Sequence, residues 1–342
     1  MKKILLCIGL FGIFSLWFRF MVQILTLGSP SLTLELNKYP SDLVQKATIT
    51  VCAVVRNGRE LLLPWLLYHR ELGISHFYLY DNNDDGCENV SLLLRDVSTD
   101  FYTVIAVQGP LIEGRQIELY RDCRQKNQNS DWLIQLDIDE MVVLKRGYSD
   151  LKQILFFYWQ HYKHLVSLRW QYTCTWNRVL SYNLFCERPE VNIFDDSDGE
   201  VKSFYRPRSF YTRHSVHHMG TLDMLKVVVD PAIMSIYHFY ARSLEDFMAA
   251  KFMNQNDWQK ANFDHYRSIA WQCNLKSRHD RNTSLDRSRI CEKIHSMQGP
   301  RQSCNMSNLH MNGKANVIRW LRNRILLNDT LSLAELPEGG VD

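Results

Sequence analysis

Along residues 48 to 173, apolar and polar positions follow two alternating rhythms. The run "TITVCAVV" (48–55) is apolar and rich in β-branched residues, as a buried strand would be. "RELLLPWLLYHRELG" (59–73) then repeats at helical spacing and stops at Gly73. "SHFYLYD" (75–81) predicts a strand that runs into the polar loop "NNDDG", and "FYTVIAV" (101–107) predicts another. "GRQIELYRDCRQKN" (114–127) reads as an amphipathic helix. "DWLIQLDIDEMVVL" (131–144) reads as a strand, followed by a helix at "LKQILFFYWQHY" and a strand at "HLVSLRW". This succession predicts an α/β fold of βαβ units, a mostly parallel sheet with helices on both faces. Ligands of such sheets bind beyond the carboxyl ends of the strands. Asp81 ends one predicted strand and Asp137 to Glu140 end another, so the acidic cluster falls where a ligand is expected.

The two ends of the chain look different. Lys2 and Lys3 precede "ILLCIGLFGIFSLWFRFMVQILTL" (4–27), which only Arg19 and Gln23 interrupt strongly. A spanning helix takes about 20 apolar residues. An arginine near its centre costs about 2.5 to 3.5 kcal/mol, which the apolar remainder outweighs. The lysines favour a cytoplasmic amino terminus, and no A-x-A-like cleavage site follows. The expectation is a cytoplasmic tail at 1–3, an uncleaved anchor at 4–27 and a short stem at 28–47, with no clear period. A single domain then covers 48–255, and 256–342 form a carboxy-terminal extension of unassigned role.

Composition narrows the setting. The net charge of the 342 residues is only +3, with both signs interleaved, which argues against a nucleic-acid partner. Four N-x-S/T triplets begin at Asn89, Asn282, Asn305 and Asn328, as suits a secretory-pathway chain. Of nine cysteines, Cys7 lies in the apolar segment. The others are irregularly spaced without a C-x-x-C pair, so disulfides in an oxidising lumen are expected over a zinc site, with the pairing open.

The acidic run is the candidate chemistry. Carboxylates in an apolar strand are costly to desolvate unless something positive compensates them. On a strand, Asp137 and Asp139 would point to one side and Ile138 to the other. Two carboxylates converging at a strand end suit a hard divalent cation, magnesium or manganese, and with it a phosphate-bearing substrate.

Five stretches in order carry a family resemblance: "CAVVRNGRELLLPWLLYHRELGISHFYLYDNNDDG", "RQIELYRDC", "WLIQLDIDEMVVL", "KSFYRPRSFYTRHSVHH" and "HFYARSLEDFMAAKF". With them, residues 50 to 255 resemble glycosyltransferase family 92 and related family-2-like enzymes. The resemblance implies a GT-A fold, a D-x-D motif holding a metal–nucleotide-sugar diphosphate, and inverting transfer of a hexose to a glycan acceptor. Manganese and UDP-galactose are the cofactor and donor it favours, and a Golgi membrane the location, with the domain luminal. The oligomeric state stays open.

By the same resemblance, Arg56, Asn57 and Asp81 line the nucleotide pocket, and Gln116 and Arg121 lie on the helix before the metal strand. Asp137 contacts ribose or metal-bound water. Asp139 holds the metal directly, with Glu140 in support, and His238 in "SIYHFYARS" completes the metal site. His217 and His218 are weaker candidates. Lys202, Arg206 and Arg208 stand ready to neutralise a departing diphosphate. The base that deprotonates the acceptor is not identified by the pattern, and Glu187 and Asp223 are the candidates. Two positions depart from the family: Gly58 where it usually has Glu, and Pro64 before Trp65 where it has Glu. The alternative to a transferase is a membrane-anchored carbohydrate-binding protein that kept the fold and lost turnover, which Gly58 favours. A metal-dependent phosphohydrolase would need further Asp/His clusters for a two-metal site, and the sequence has none.

Overall fold

A computed structural model describes most of residues 41–240 and the short strand 278–280. Residues 1–40, 174–190, 241–277, 281–342 and several shorter loop stretches lie outside the described residues, and with them the expected anchor. Among the described residues no helix is long and apolar enough to cross a membrane. The first described element, helix α1 (Ser41–Lys46), falls inside the expected stem. It docks through Gln45, whose amide donates to Asp150 Oδ2 and whose carbonyl accepts from Lys152 Nζ.

The predicted strands and helices follow in order. They are β1 (Ile49–Val55), α2 (Leu62–Glu71), β2 (His76–Asp81), the single turn α3 (Val90–Leu93), β3 (Tyr102–Ala106), α4 (Arg115–Lys126) and β4 (Trp132–Gln135). Every residue of β1 is buried, which accounts for its unbroken apolar run. Gly73 ends α2 at φ 106°, a conformation that side chains with a Cβ avoid. Pro64 sits in the first turn of α2, where its missing N–H costs no helical bond. β3, β2, β1 and β4 lie side by side and all parallel, so Val55, Asp81 and Gln135 finish at one edge. A disulfide joins Cys52 of β1 to Cys123 of α4, fixing that helix to the sheet.

The acidic run departs from its prediction. The strand expected across 131–144 is two strands, β4 and β5 (Glu140–Leu144), separated by a tight turn. In that turn Glu140 N–H donates to Asp137 O at 3.0 Å, and Asp137 N–H donates to Glu140 Oε2 at 3.0 Å. The Glu140 carboxyl thus offers the backbone a local partner that competes with the strand ladder. Asp137 and Asp139 therefore do not alternate along a strand.

The second half of the sheet is mixed, so the mostly parallel expectation holds only for the first four strands. After α5 (Leu151–Gln160) comes the long strand β6 (Leu165–Thr173), then β7 (Val191–Asp195), β8 (Val201–Tyr205) and the small pair β9 (Thr212–Arg213) and β10 (Met219–Gly220). β11 (Lys226–Val228), β12 (Met234–His238) and β13 (Arg278–Asp280) complete it. β8 runs antiparallel to both β4 and β6, while β11 and β12 run parallel to β6. β13, from the expected carboxy-terminal extension, pairs with β7. The result is an α/β sheet of the GT-A-like kind, with a parallel half and a mixed half joined through β4 and β8.

Among the described residues β5 pairs with β12 along one edge only, and α2 covers the other. Trp65 Nε1 donates to Glu140 O at 2.8 Å, and Tyr68 OH donates to Val142 O at 2.8 Å. His69 Nε2 accepts from Val142 N–H at 3.2 Å, while its Nδ1 lies 2.9 Å from Trp65 O. Those two partners assign the neutral ring with its proton on Nδ1. Positions 65, 68 and 69 share one helix face, and they satisfy the strand edge as a neighbouring strand would.

Candidate functional site

The turn Asp137–Glu140 sits beyond the carboxyl end of β4 and is held from two sides. From α4, Gln116 Nε2 donates to Asp137 Oδ1 at 3.0 Å, and Tyr120 OH donates to the same oxygen at 3.1 Å. From β8, Lys202 Nζ lies 3.1 Å from Asp137 Oδ2 and 3.2 Å from Glu140 Oε2. Lys202 is 1% exposed and Glu140 not at all, whereas Asp137 keeps 29% of its side chain in solvent.

Strand register explains why these groups meet. Lys202 stands opposite Leu168, two positions before Trp170 on β6. His238 stands opposite Tyr172 on one side and Glu140 on the other. Lys202, Trp170, Tyr172, His238 and Glu140 therefore share one face of the sheet. The His238 ring lies 4.3 Å from the Trp170 ring, stacks on Tyr172 at 5.5 Å and meets Tyr240 at 5.4 Å. Its Nε2 faces Asp139 Oδ1 at 3.8 Å, wider than a hydrogen bond. Phe239 N–H donates to Asp139 O at 2.8 Å, which ties the turn to the end of β12.

Charge in this cluster is set by burial. Burial pushes the Glu140 carboxyl well above its ordinary range; Lys202 opposes that push, and Asp137 and Asp139 add to it. For Lys202 burial alone would lower the ammonium, but Asp137 and Glu140 outweigh it and hold its pKa above the usual lysine value. Burial, with Asp137 adding to it, keeps the Tyr120 phenol protonated far beyond its ordinary range, so it donates to Asp137 throughout. On this face the buried atoms Glu140 Oε1 and Trp170 Nε1 have no hydrogen-bond partner among the described residues.

Gln116, Asp137, Asp139, Lys202 and His238 are thus brought together. Arg56 and Asp81 lie at the same edge, at the ends of β1 and β2. Arg56 Nη1 reaches Asn82 Oδ1 at 3.4 Å. The Asp81 carboxylate accepts from Asn83 N–H and the Asn83 amide in the loop after it, and from Val90 N–H at the start of α3. Gly58 lies buried against the turn: a Cβ there would meet Ile138 Cδ1 at 2.7 Å and Val55 Cγ1 at 3.0 Å. Ile138 thus fills the space a side chain at 58 would need. His217 packs on Trp170 at 4.6 Å, and Arg121 is exposed on α4.

Three expected residues lie elsewhere. Arg206 sits between the Trp159 and Trp132 rings, at 4.9 and 5.8 Å, with Asp131 at 3.9 Å. That is the amino end of β4, roughly 15 Å from the turn at about 3.3 Å per residue. The backbone of Asp223 is at the same far end, since Leu225 O accepts from His164 N–H just before β6. Arg208 binds Gln128 O and the Asn129 side chain instead of the cluster. Asn57, Glu187 and His218 lie outside the described residues. Sequence reasoning missed Tyr120 and Trp170. Tyr120 was findable, four residues after Gln116 on the same helix face.

Asp139 and His238 offer one carboxylate oxygen and one imidazole nitrogen, donors that suit manganese. Both Asp137 oxygens already accept hydrogen bonds. Among the described residues no group of three His, Cys, Asp or Glu side chains is placed to hold a metal. Among the described residues Asp139 and His238 are thus the two candidate ligands.

No family model matches the chain. Curated relatives match in part. They are glycosyltransferase family 92 proteins. One from rice (Oryza sativa subsp. japonica) is 29% identical over 131 residues, 36% of this chain and 22% of the relative. One from Arabidopsis thaliana is 27% identical over 121 residues, covering 33% and 20%. The chain thus spans about a fifth of the length of the curated relatives it matches. Among solved structures, S. aureus TarS 1-349 aligns with TM-score 0.32 and 10% identity over 78% of this chain and 77% of its own. UDP-glucose pyrophosphorylase complexed with UDP-glucose aligns with TM-score 0.28 and 8% identity over 65% and 99%. At such scores the fold rests on the strand order and register given above.

Proposed function

We propose that the chain is a metal-dependent glycosyltransferase that takes a hexose from a nucleotide sugar and passes it to a glycan acceptor. The observation that carries this reading is the approach of Asp139 and His238 beside Asp137, beyond the carboxyl ends of parallel strands. The partial similarity to family 92 proteins supports it.

Asp139 and His238 would hold a divalent cation, manganese by preference, with a bound diphosphate supplying further oxygen ligands. Bound there, the cation supplies Lewis-acid neutralisation of the leaving diphosphate. Asp137, fixed by Gln116, Tyr120 and Lys202, presents its exposed edge to the ribose side of the donor. The aromatic wall of Trp170, Tyr172 and Tyr240 keeps water from the His238 ring. Inversion, a galactose donor and a luminal Golgi domain behind a type II anchor belong to the same proposal, supported by the family resemblance, the segment 4–27 and the four glycosylation triplets.

The test is donor hydrolysis with a panel of nucleotide sugars, with and without manganese. Manganese-dependent release of one sugar supports the proposal. Binding of a nucleotide sugar or glycan without turnover would favour the carbohydrate-binding alternative, for which Gly58, pressed against Ile138 and bearing no carboxylate, is the favouring observation.

A further inference from the structure

We propose that Lys202 is a positioning residue, a buried counter-cation that holds the acidic turn closed so that Asp139 is presented to His238. This rests on reading Asp139 and His238 as the cation-binding pair. A lysine that met a departing diphosphate directly would need a free ammonium at the surface. Lys202 is instead 1% exposed, with its ammonium shared between Asp137 and Glu140 and lying 5.8 Å from the Trp170 ring.

Asp137 and Glu140 are the first and last residues of one turn, so a single ammonium clamps both ends. Two further bonds close the same turn, Glu140 N–H to Asp137 O and Asp137 N–H to Glu140 Oε2. Without Lys202, Asp137 Oδ2 and Glu140 Oε2 lose their shared donor and face each other with no cation between them. Glu140 cannot move to solvent, because it is wholly buried, Trp65 holds its carbonyl and β5 pairs with β12. The part free to swing is the Asp137 end, which is 29% exposed. Asp139 lies between the two ends, so its approach to His238 depends on the turn staying closed.

The experiment uses the full chain as parent, Lys202→Met, Glu140→Gln and the double variant, read by hydrogen–deuterium exchange and by titration with manganese alone. Lys202→Met should speed exchange in the peptide spanning 136–141 at least tenfold, leave β1 to β3 unchanged, and weaken manganese binding at least tenfold. Adding Glu140→Gln should restore most of both, since the amide still accepts from Asp137 N–H and needs no counter-charge. A lysine that merely filled volume would show no such rescue. If Lys202→Met fails to fold, the double variant decides: folded with a protected turn, it supports the proposal; unfolded, it overturns it. Parent-like exchange in Lys202→Met overturns the proposal, as does unchanged manganese affinity in that variant where Asp139→Asn loses binding. Should Asp139→Asn bind manganese like the parent, the metal-pair reading fails, while exchange still decides whether Lys202 closes the turn.

Discussion

His69 makes the chain acid-sensitive at a defined place. Its ring is buried and neutral, and both nitrogens are used, one toward Trp65 O and one by Val142 N–H. Burial lowers its pKa from 6.5 to about 4, with the bond to Trp65 O opposing that shift. In the unfolded chain the ring protonates near 6.5, so between 6.5 and about 4 the unfolded state binds more protons than the folded one. Stability from this group is therefore full above pH 6.5 and lost as pH falls toward 4. At 1.36 kcal/mol per pKa unit the whole effect is about 3 kcal/mol, of which about 2 is gone by pH 5. Urea unfolding of the parent and of His69→Gln, which cannot titrate, isolates this group from the other acids. Between pH 7 and 5 the parent should lose about 2 kcal/mol more than the variant. Parallel losses in the two proteins would refute the assignment of a buried neutral ring.

Two further predictions concern packing around the turn. Gly58→Ala drives a methyl group against Ile138 Cδ1 and Val55 Cγ1 and should cost about 1 to 3 kcal/mol, part of which Ile138→Val restores by removing Cδ1; additive urea-melt effects would show that the two residues do not touch. Reducing Cys52–Cys123, or replacing Cys123 with Ala, opens a link between residues 71 apart and should lower stability by about 4 kcal/mol on the chain-entropy estimate, with equal melting of oxidised and reduced protein as the contrary result.

Much of the parallel half was legible because its signals are local. β1 is buried on both faces and reads as one apolar run, and Gly73 marks the end of α2 by its left-handed backbone. The acidic turn was not legible as a turn. Beyond its two local bonds, what holds it comes from Lys202, 65 residues beyond Asp137, and from Gln116 and Tyr120 on a helix 17 or more residues before it. No short-range period carries that information. Arg206 was misplaced for a related reason. It lies four positions after Lys202, and because β8 runs antiparallel to β4 those positions lead away from the turn, toward Trp132. His238 lies 3.8 Å from Asp139, and the pairing that brings it there, β12 against β5, could not be read from the sequence.

Asp139→Asn tests the central claim most directly. The substitution keeps the size of the side chain and removes the charge that faces His238. Manganese-dependent release of sugar from the donor nucleotide, measured beside metal-free melting, should fall by about a hundredfold to a thousandfold, as for loss of a preorganised electrostatic contact. The metal-free melting temperature should hold or rise slightly, because repulsion with Asp137 and Glu140 is relieved. Near-parental turnover would contradict the account by placing the metal elsewhere, and melting far below the parent would make Asp139 a structural residue.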